Sequence, residues 1–399
     1  MVNTFHHRRG GDAAYALGLS ALLEGAGHEV IPFAMRHPQN EPSVWEGHFP
    51  SWIDYRDLQG LRDRLRALPR FIYSRESARA LDGLLAQVKP DVVHLHHVHH
   101  HLTPSVVDVA QRRGIPVVWT VHDYELICPA GLLFSQGAPC EACRGHRYDQ
   151  AIARRCKRDR WDFSALAALE KALHAAAGLW SRIDRFLCPS QFLADRLMAF
   201  GVPPERVFHQ PNFVDAPVSP PAMGSGWLFA GRLSQEKGVE VLLQAARRLP
   251  GRRLDVVGSG PLEARMREDA ATLSNVAFFG HVSKEALNRK LTETAVVAVP
   301  SVWYENQPFA VTEAQAAGRA VVASRIGGIP ELVEDGVDGV LVPPGDPVAL
   351  ADAVESLLSN PTRLSSLGES GHRRVRAALR PDAHLDAILG HYAAVGVDA

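Results

Sequence analysis

Short apolar runs alternate with amphipathic helical stretches along almost the whole chain, and the alternation occurs as two separate series. In the first, Val30-Ile31-Pro32-Phe33, Asp91 to Leu95, Ile115 to Thr120 and Arg185 to Cys188 have the composition of buried strands. Helical patterns lie between them at Asp12 to Gly25, Ser105 to Arg112 and about Phe163 to Leu179. The second reads Trp227 to Gly231, Leu254 to Val257, Val276 to Phe279, Val296 to Val299, Ala320 to Ala323 and Gly339 to Val342. Strands separated by helices need crossover connections, so the expected architecture is α/β with parallel sheets. Between the series, Pro211 to Gly226 reads PNFVDAPVSPPAMGSG, which has no hydrophobic period and the composition of a linker. A chain of 399 residues holds two such domains rather than three. Ligands of open parallel sheets bind beyond the carboxyl ends of the strands, so the loops there are where chemistry is expected.

Composition removes several function classes. With 43 Lys+Arg against 44 Asp+Glu, the chain lacks the electrostatic footprint of a nucleic-acid binder. No apolar run reaches the roughly 18 residues needed to span a bilayer. The longest, Ala165 to Trp180, is broken by Glu170, Lys171 and His174. Met1 to Gly10 has no apolar core, so no export signal is expected and the five cysteines are expected as reduced thiols in the cytoplasm.

The strongest chemical signal runs from Val299 to Glu313. A buried strand ends at Pro300, a loop carries Glu305, and a helix begins near Pro308 with Glu313 in its first turns. Free amides at a helix start accept anionic or hydroxyl oxygens, and two flanking carboxylates suit a polyhydroxylated ligand. The same spacing also fits a Glu complementing the helix dipole beside a surface Glu. A second signal, Trp227 to Gly238, is a strand, a glycine turn, and then Arg232 and Lys237 at the mouth of a helix.

Together these segments resemble the retaining nucleotide-sugar glycosyltransferases of glycosyltransferase family 4. The resemblance continues through Gly10-Gly11, Gly25 to Val30, Thr120-Val121-His122-Asp123, Pro211 to Asp215, Val257 to Pro261, Phe279 to Val282 and Gly327 to Glu331. It implies the GT-B fold, in which two Rossmann-like α/β domains face each other across a cleft. Residues 1–212 would form the acceptor domain, 213–223 the linker and 224–379 the nucleotide-sugar domain, with a last helix in 380–399 packing back on the first. By the same resemblance Arg232 and Lys237 neutralise the donor diphosphate, Glu313 binds the donor ribose, and Glu305 binds hydroxyls of the donor sugar. Asn306, Gln307, Pro308, Phe309 and Ala310 help hold sugar and phosphates. Gly10, Gly11 and Gly258 line the donor, His281 and Val282 contact the base, and His122 sits beside the reacting sugar. The implied partners are a nucleotide diphosphate sugar and a glycan or lipid-linked acceptor. No cofactor is required for the implied catalysis, in which front-face attack is assisted by the departing phosphate. A sugar-nucleotide epimerase, a phosphorylase or a non-catalytic sugar-nucleotide-binding protein are the other readings this fold leaves open. The first strand looks short, because only Val2 to Phe5 precedes the glycine loop.

Three clusters lie outside those motifs. Cys128, Cys140, Cys143 and Cys156 include a C-x-x-C pair and offer a structural zinc site, reduced thiols in an irregular loop, or a single redox pair. His94, His96, His97, His99, His100 and His101 crowd one strand end, where acceptor contacts or loop packing are expected ahead of a metal. Two basic stretches, from Arg62 to Arg79 and from Arg144 to Trp161, suit either a solvated face or an anionic membrane surface.

Overall fold

The computed structural model describes residues 1–55 and 68–397. Arg62, Arg64 and Arg66 of the first basic stretch lie outside the described residues. The chain divides into two compact units. One comprises Met1–Leu132, Glu141–Pro211 and Asp382–Ala399; the other comprises Leu133–Cys140 and Asn212–Pro381.

The first unit opens with helix α1 (Gly11–Gly25) and α2 (Arg75–Val88), then strand β1 (Val93–Leu95), α3 (Ser105–Arg112) and β2 (Val117–Thr120). Next in the chain, β3 (Phe134–Ser135) and β4 (Ala138–Pro139) form a small antiparallel hairpin grouped with the second unit. Helices α4 (Asp149–Ala153) and α5 (Trp161–Ala176), strand β5 (Arg185–Cys188), α6 (Gln191–Ala199) and β6 (Val207–His209) complete this stretch. The sheet order is β1-β2-β5-β6, every pair parallel. Val2 adds to its β1 side, bridging both Leu95 and Phe33. The Val2 amide donates to His94 O at 2.8 Å and the Phe33 amide to Met1 O at 2.8 Å. The short first strand is therefore paired on both sides. The strand expected over Val30 to Phe33 shrinks to the Phe33 bridge, where the Phe33 amide donates to Met1 O and its carbonyl accepts from the Asn3 amide.

The second unit carries β7 (Trp227–Ala230), α7 (Val239–Arg248), β8 (Leu254–Val257), α8 (Glu263–Asp269), β9 (Val276–Gly280) and α9 (Lys284–Glu293). It continues with β10 (Val296–Val299), α10 (Phe309–Ala316), β11 (Ala320–Ser324), α11 (Ile329–Leu332), β12 (Val340–Val342), α12 (Pro347–Leu358) and α13 (Pro361–Ala378). The sheet order β12-β11-β10-β7-β8-β9, all parallel, is doubly wound. Strand residues alternate between two cores: Trp227, Phe229, Val296 and Ala298 join one, and Leu228, Val297 and Val299 join the other. Both faces are covered by helices, which is why these strands read as unbroken apolar runs. Buried Arg319 ties the linker down, donating to Ala222 O and Thr294 O at 3.0 Å each.

The final helix, α14 (Pro381–Ala393), belongs to the first unit. Its Tyr392 hydroxyl lies 2.6 Å from His94 Nδ1, and His384 Nε2 lies 2.8 Å from the Tyr15 hydroxyl.

Candidate functional site

In the second unit the chain order of the strands reverses between β7 and β10, so the loops leaving these two strands diverge and open a crevice at their carboxyl ends. Arg232 and Lys237 leave β7; Glu305 leaves β10. Lys237 Nζ donates to both oxygens of Glu305, at 2.8 and 3.0 Å, and the Ser301 hydroxyl donates to Oε1 at 2.5 Å. Glu305 is buried, with 3% of its surface exposed. Lys237 also lies 4.9 Å over the Trp303 ring. Arg232 is exposed.

Two glycines let these loops meet. Gly238, at φ +70°, approaches Pro300 so closely that a Cβ would fall 1.8 Å from the Pro300 carbonyl oxygen. Gly258, at φ +132°, approaches the Gly231 carbonyl in the same way, also 1.8 Å from a Cβ. Neither contact has room for a side chain, and both conformations favour glycine. The Gly328 amide donates to Glu305 O at 2.8 Å, which fixes the Glu305 loop from the β11 side.

Helix α10 begins at Phe309 with Pro308 as N-cap and no side chain capping its first amides. Those amides remain available to an acceptor, at the positive end of the helix dipole. Glu313, further along α10, forms an ion pair with Lys284 of α9, a partner the motif spacing did not reveal. Ala310 is half-buried and Asn306 buried beside this start. Gln307 is differently occupied: its Oε1 accepts from the Asn212 amide at 2.6 Å and its Nε2 donates to Asn212 O at 3.0 Å. Both polar ends of Gln307 thus hold the linker backbone. The β9 turn places Gly280 at φ +66°, with His281 exposed and Val282 half-buried.

In the first unit, Gly10 is the extended N-cap of α1 and Gly11 its first residue. His122 follows β2, with Nε2 3.1 Å from His96 Nδ1 and its ring 5.2 Å from that of Tyr15. Burial lowers its pKa to about 4, so the imidazole is neutral at physiological pH. Asp123 is pushed up to about 6 by burial and by the neighbouring Glu125 carboxylate. The other crowded histidines mostly pack: His94 bonds Thr120 at 2.8 Å, His99 lies against Trp119, and His100 stacks on Phe71 at 4.2 Å. His101 stacks on Trp52 at 4.7 Å.

None of the four cysteines is in a disulfide, and the one group of three or more possible metal ligands among the described residues does not include them. Cys140 closes the β3–β4 hairpin, its amide bonded to Leu133 O at 2.7 Å, while Cys128, Cys143 and Cys156 lie in segments grouped with the first unit. The side chains that do converge as possible metal ligands are His97, Asp123 and Glu125.

Residues 9–217 match the family model described as Glycosyltransferase Family 4, and residues 225–360 match that of Glycosyl transferases group 1. The chain belongs to glycosyltransferase family 4. Among curated relatives, this family 4 member is 31% identical over 309 residues to D-inositol 3-phosphate glycosyltransferase 1 of Catenulispora acidiphila, covering 69% of this chain and 66% of that one. It is 33% identical over 173 residues to O-antigen chain mannosyltransferase C of Escherichia coli, covering 42% and 46%. In several such matches the chain spans about half the relative's length or less. Solved structures resemble it over nearly its full length. Sucrose-phosphate synthase from Thermosynechococcus elongatus has a TM-score of 0.70 at 21% identity, covering 98% of this chain and 95% of that one. Anabaena HepE in complex with UDP and glucose has a TM-score of 0.70 at 17% identity, covering 98% of each. The fold is GT-B.

Proposed function

We propose that this chain is a retaining glycosyltransferase, moving a sugar from a nucleoside diphosphate sugar to a hydroxyl of a glycan or lipid-linked acceptor in cell-surface polysaccharide or glycoconjugate synthesis. The observation that carries this reading is the ion pair between half-buried Lys237 and buried Glu305 at the switch point of the second unit, next to the uncapped start of α10. Such a constellation offers a cation and free amides to a diphosphate, and a fixed carboxylate to sugar hydroxyls. Breaking the anomeric C–O bond places negative charge on the departing diphosphate. Lys237, Arg232 and the α10 amides stabilise that charge as it develops, which is where preorganised donors accelerate a reaction. On donor binding Glu313 exchanges Lys284 for the ribose hydroxyls, and neutral His122 contacts the reacting sugar as a hydrogen-bond partner without adding charge. The acceptor hydroxyl attacks from the same face, and its proton passes to the departing phosphate oxygen, so configuration is retained without a covalent sugar–enzyme bond.

The test is nucleoside diphosphate release from UDP-, GDP-, ADP- and dTDP-sugars, with and without mixed acceptors, alongside Glu313→Gln. Release from one donor, reduced at least tenfold in the variant, is the expected result. Nucleotide binding without release under every condition would favour a binding protein instead, and free sugar or a 2-epimer without acceptor would favour an epimerase.

The acceptor side of the proposal includes an anionic membrane surface at the cytoplasmic face. Helix α5 is inverted relative to an ordinary surface helix: Glu170 and Lys171 are 0% and 3% exposed, while Trp161 and Leu169 are 66% and 51% exposed. Arg155, Arg158 and Arg160 are exposed just before it. Apolar groups beside arginines are the combination that inserts at a bilayer surface rather than through it. No helix among the described residues is long and apolar enough to cross a membrane. Flotation with anionic liposomes is expected to carry the protein, weakening with salt and in Trp161→Ala; neutral liposomes should leave it behind. Equal flotation with both would remove the basic cluster from the account.

A further inference from the structure

The end of β1 and the end of β2 bring together His97, Asp123 and Glu125, three side chains to which the sugar-transfer reading gives no role. The strands are adjacent and in register, with Leu95 opposite Trp119, so residues a few positions beyond each strand converge. His97 Nε2 lies 3.8 Å from Asp123 Oδ2 and 3.7 Å from Glu125 Oε2. All three ligand atoms fall within 4.8 Å of one another. The two His97 separations, 3.7 and 3.8 Å, are too long for hydrogen bonds but within the roughly 4.2 Å that two ligands about 2.1 Å from one ion can span.

The hydrogen bonds around the cluster decide which way each group faces. The Thr4 hydroxyl donates its one proton to His97 O at 2.7 Å. At 3.2 Å from His97 Nδ1 the same oxygen can then only accept, so Nδ1 carries the hydrogen. In the neutral ring this leaves Nε2 as a lone pair aimed at two carboxylates. Asp123 Oδ1 accepts the Glu125 amide at 2.8 Å, which orients Oδ2 toward the cluster. Glu125 Oε1 takes His100 Nε2 at 3.2 Å and Lys157 Nζ at 3.3 Å. Its Oε2 is buried and has no hydrogen-bond partner. Three acceptors therefore point at one position that holds no donor, and each is fixed from behind by a second partner. That is the outer-shell arrangement of a metal site.

We propose that His97, Asp123 and Glu125 bind a divalent metal ion in the first unit. One imidazole and two carboxylates suit a borderline ion such as Zn²⁺ or Mn²⁺. The side chains of His97 and Asp123 keep 21% and 30% exposure, so water completes the coordination from the open side. The ion holds together the loops after β1 and β2, the second of which carries His122. The proposal is independent of which sugar the chain transfers.

The experiment strips the full-length protein with EDTA and titrates Mn²⁺ and Zn²⁺ separately, with elemental analysis after dialysis. About one ion per chain is expected. Affinity should fall on the order of a hundredfold in His97→Gln and in Asp123→Asn, and about tenfold or more in Thr4→Val, which removes only the outer-shell contact. A Cys140→Ser/Cys143→Ser variant should bind as the wild type does. Mn²⁺ on the wild-type protein should show nitrogen coupling from one imidazole by pulsed electron paramagnetic resonance, a readout that needs no variant to fold. Absence of binding, absence of nitrogen coupling, or loss of the ion in the cysteine variant alone would each overturn the proposal. In the first case an imidazolium at His97 would account for the cluster; in the last, the cysteines would hold the metal.

Discussion

Glu305→Gln is expected to reduce sugar transfer by about 10²–10³-fold while leaving the second unit folded, because the amide is isosteric and only the charge is lost. Lys237 then faces a neutral group, and the donor sugar loses a fixed carboxylate at the position where Ser301 and Lys237 hold it, 2.5 and 2.8 Å from Oε1. Lys237→Ala is expected to behave differently. It strips the cation from a carboxylate that is 4% exposed, leaving only the Ser301 hydroxyl. Breaking a buried ion pair from one side costs about 3–5 kcal/mol, and the 25% exposure of the Lys237 side chain puts the cost at or below the lower end. The double variant Lys237→Ala/Glu305→Gln should recover most of that stability and none of the activity. Urea unfolding and nucleoside diphosphate release on the three variants would check this. Recovery of activity in the double variant would mean that the pair serves only the fold.

The second large effect is acid lability confined to the first unit. The chain has 19 histidines, of which only His281 and His372 lie in the second unit. In the first, burial lowers His122 and His384 to about 4, and lowers His94, His96 and His99 well below the ordinary value. The folded protein keeps these rings neutral, whereas the unfolded chain takes up protons near pH 6.5. Their stabilising contribution is therefore complete above pH 6.5 and is lost as pH falls toward 4. His122 and His384 would each cost about 2 kcal/mol at pH 5. Two groups act in the opposite sense. His100, raised by the Glu125 and Glu170 carboxylates despite its burial, is stabilising at low pH, and Asp123, raised by burial and Glu125, is relieved as it protonates. The neutral histidines outnumber them, so the net slope favours neutral pH. Hydrogen exchange at pH 7 and pH 5 should show protection falling first in β1, β2 and α14, with β7 to β12 nearly unchanged. Parallel loss in both units would refute the assignment of acid sensitivity to the histidine cluster.

Strands buried on both faces were the most legible elements. Val117–Thr120, Arg185–Cys188, Leu254–Val257 and Val296–Val299 stand as their apolar runs announce, because a parallel sheet sandwiched between helices tolerates little else. Less was visible at edges. Val207–His209 has three residues and one pairing partner, too little signal for a strand, and Val30 and Ile31 do not extend the bridge that Phe33 makes with Val2. Helix α5 could be read from its period, but not which side would be buried: Glu170 goes inside against His100, 3.2 Å away, and Lys171 pairs with Glu170 itself at 3.5 Å.

Two parallel α/β units, the order of their strands along the chain, and the residue types at the strand ends, from Arg232 and Lys237 to Glu305 and Glu313, are legible in the chain. Those follow from periodicity and from spacing within a few residues, both local properties. Which side chains pair emerges only once the chain is folded. Lys237 neutralises Glu305 across 68 positions, Lys284 takes Glu313, and Gln307 turns to Asn212. His97 meets Asp123 and Glu125 across adjacent strand ends. Such partners are set by which strands lie side by side, and no local pattern in the chain records that.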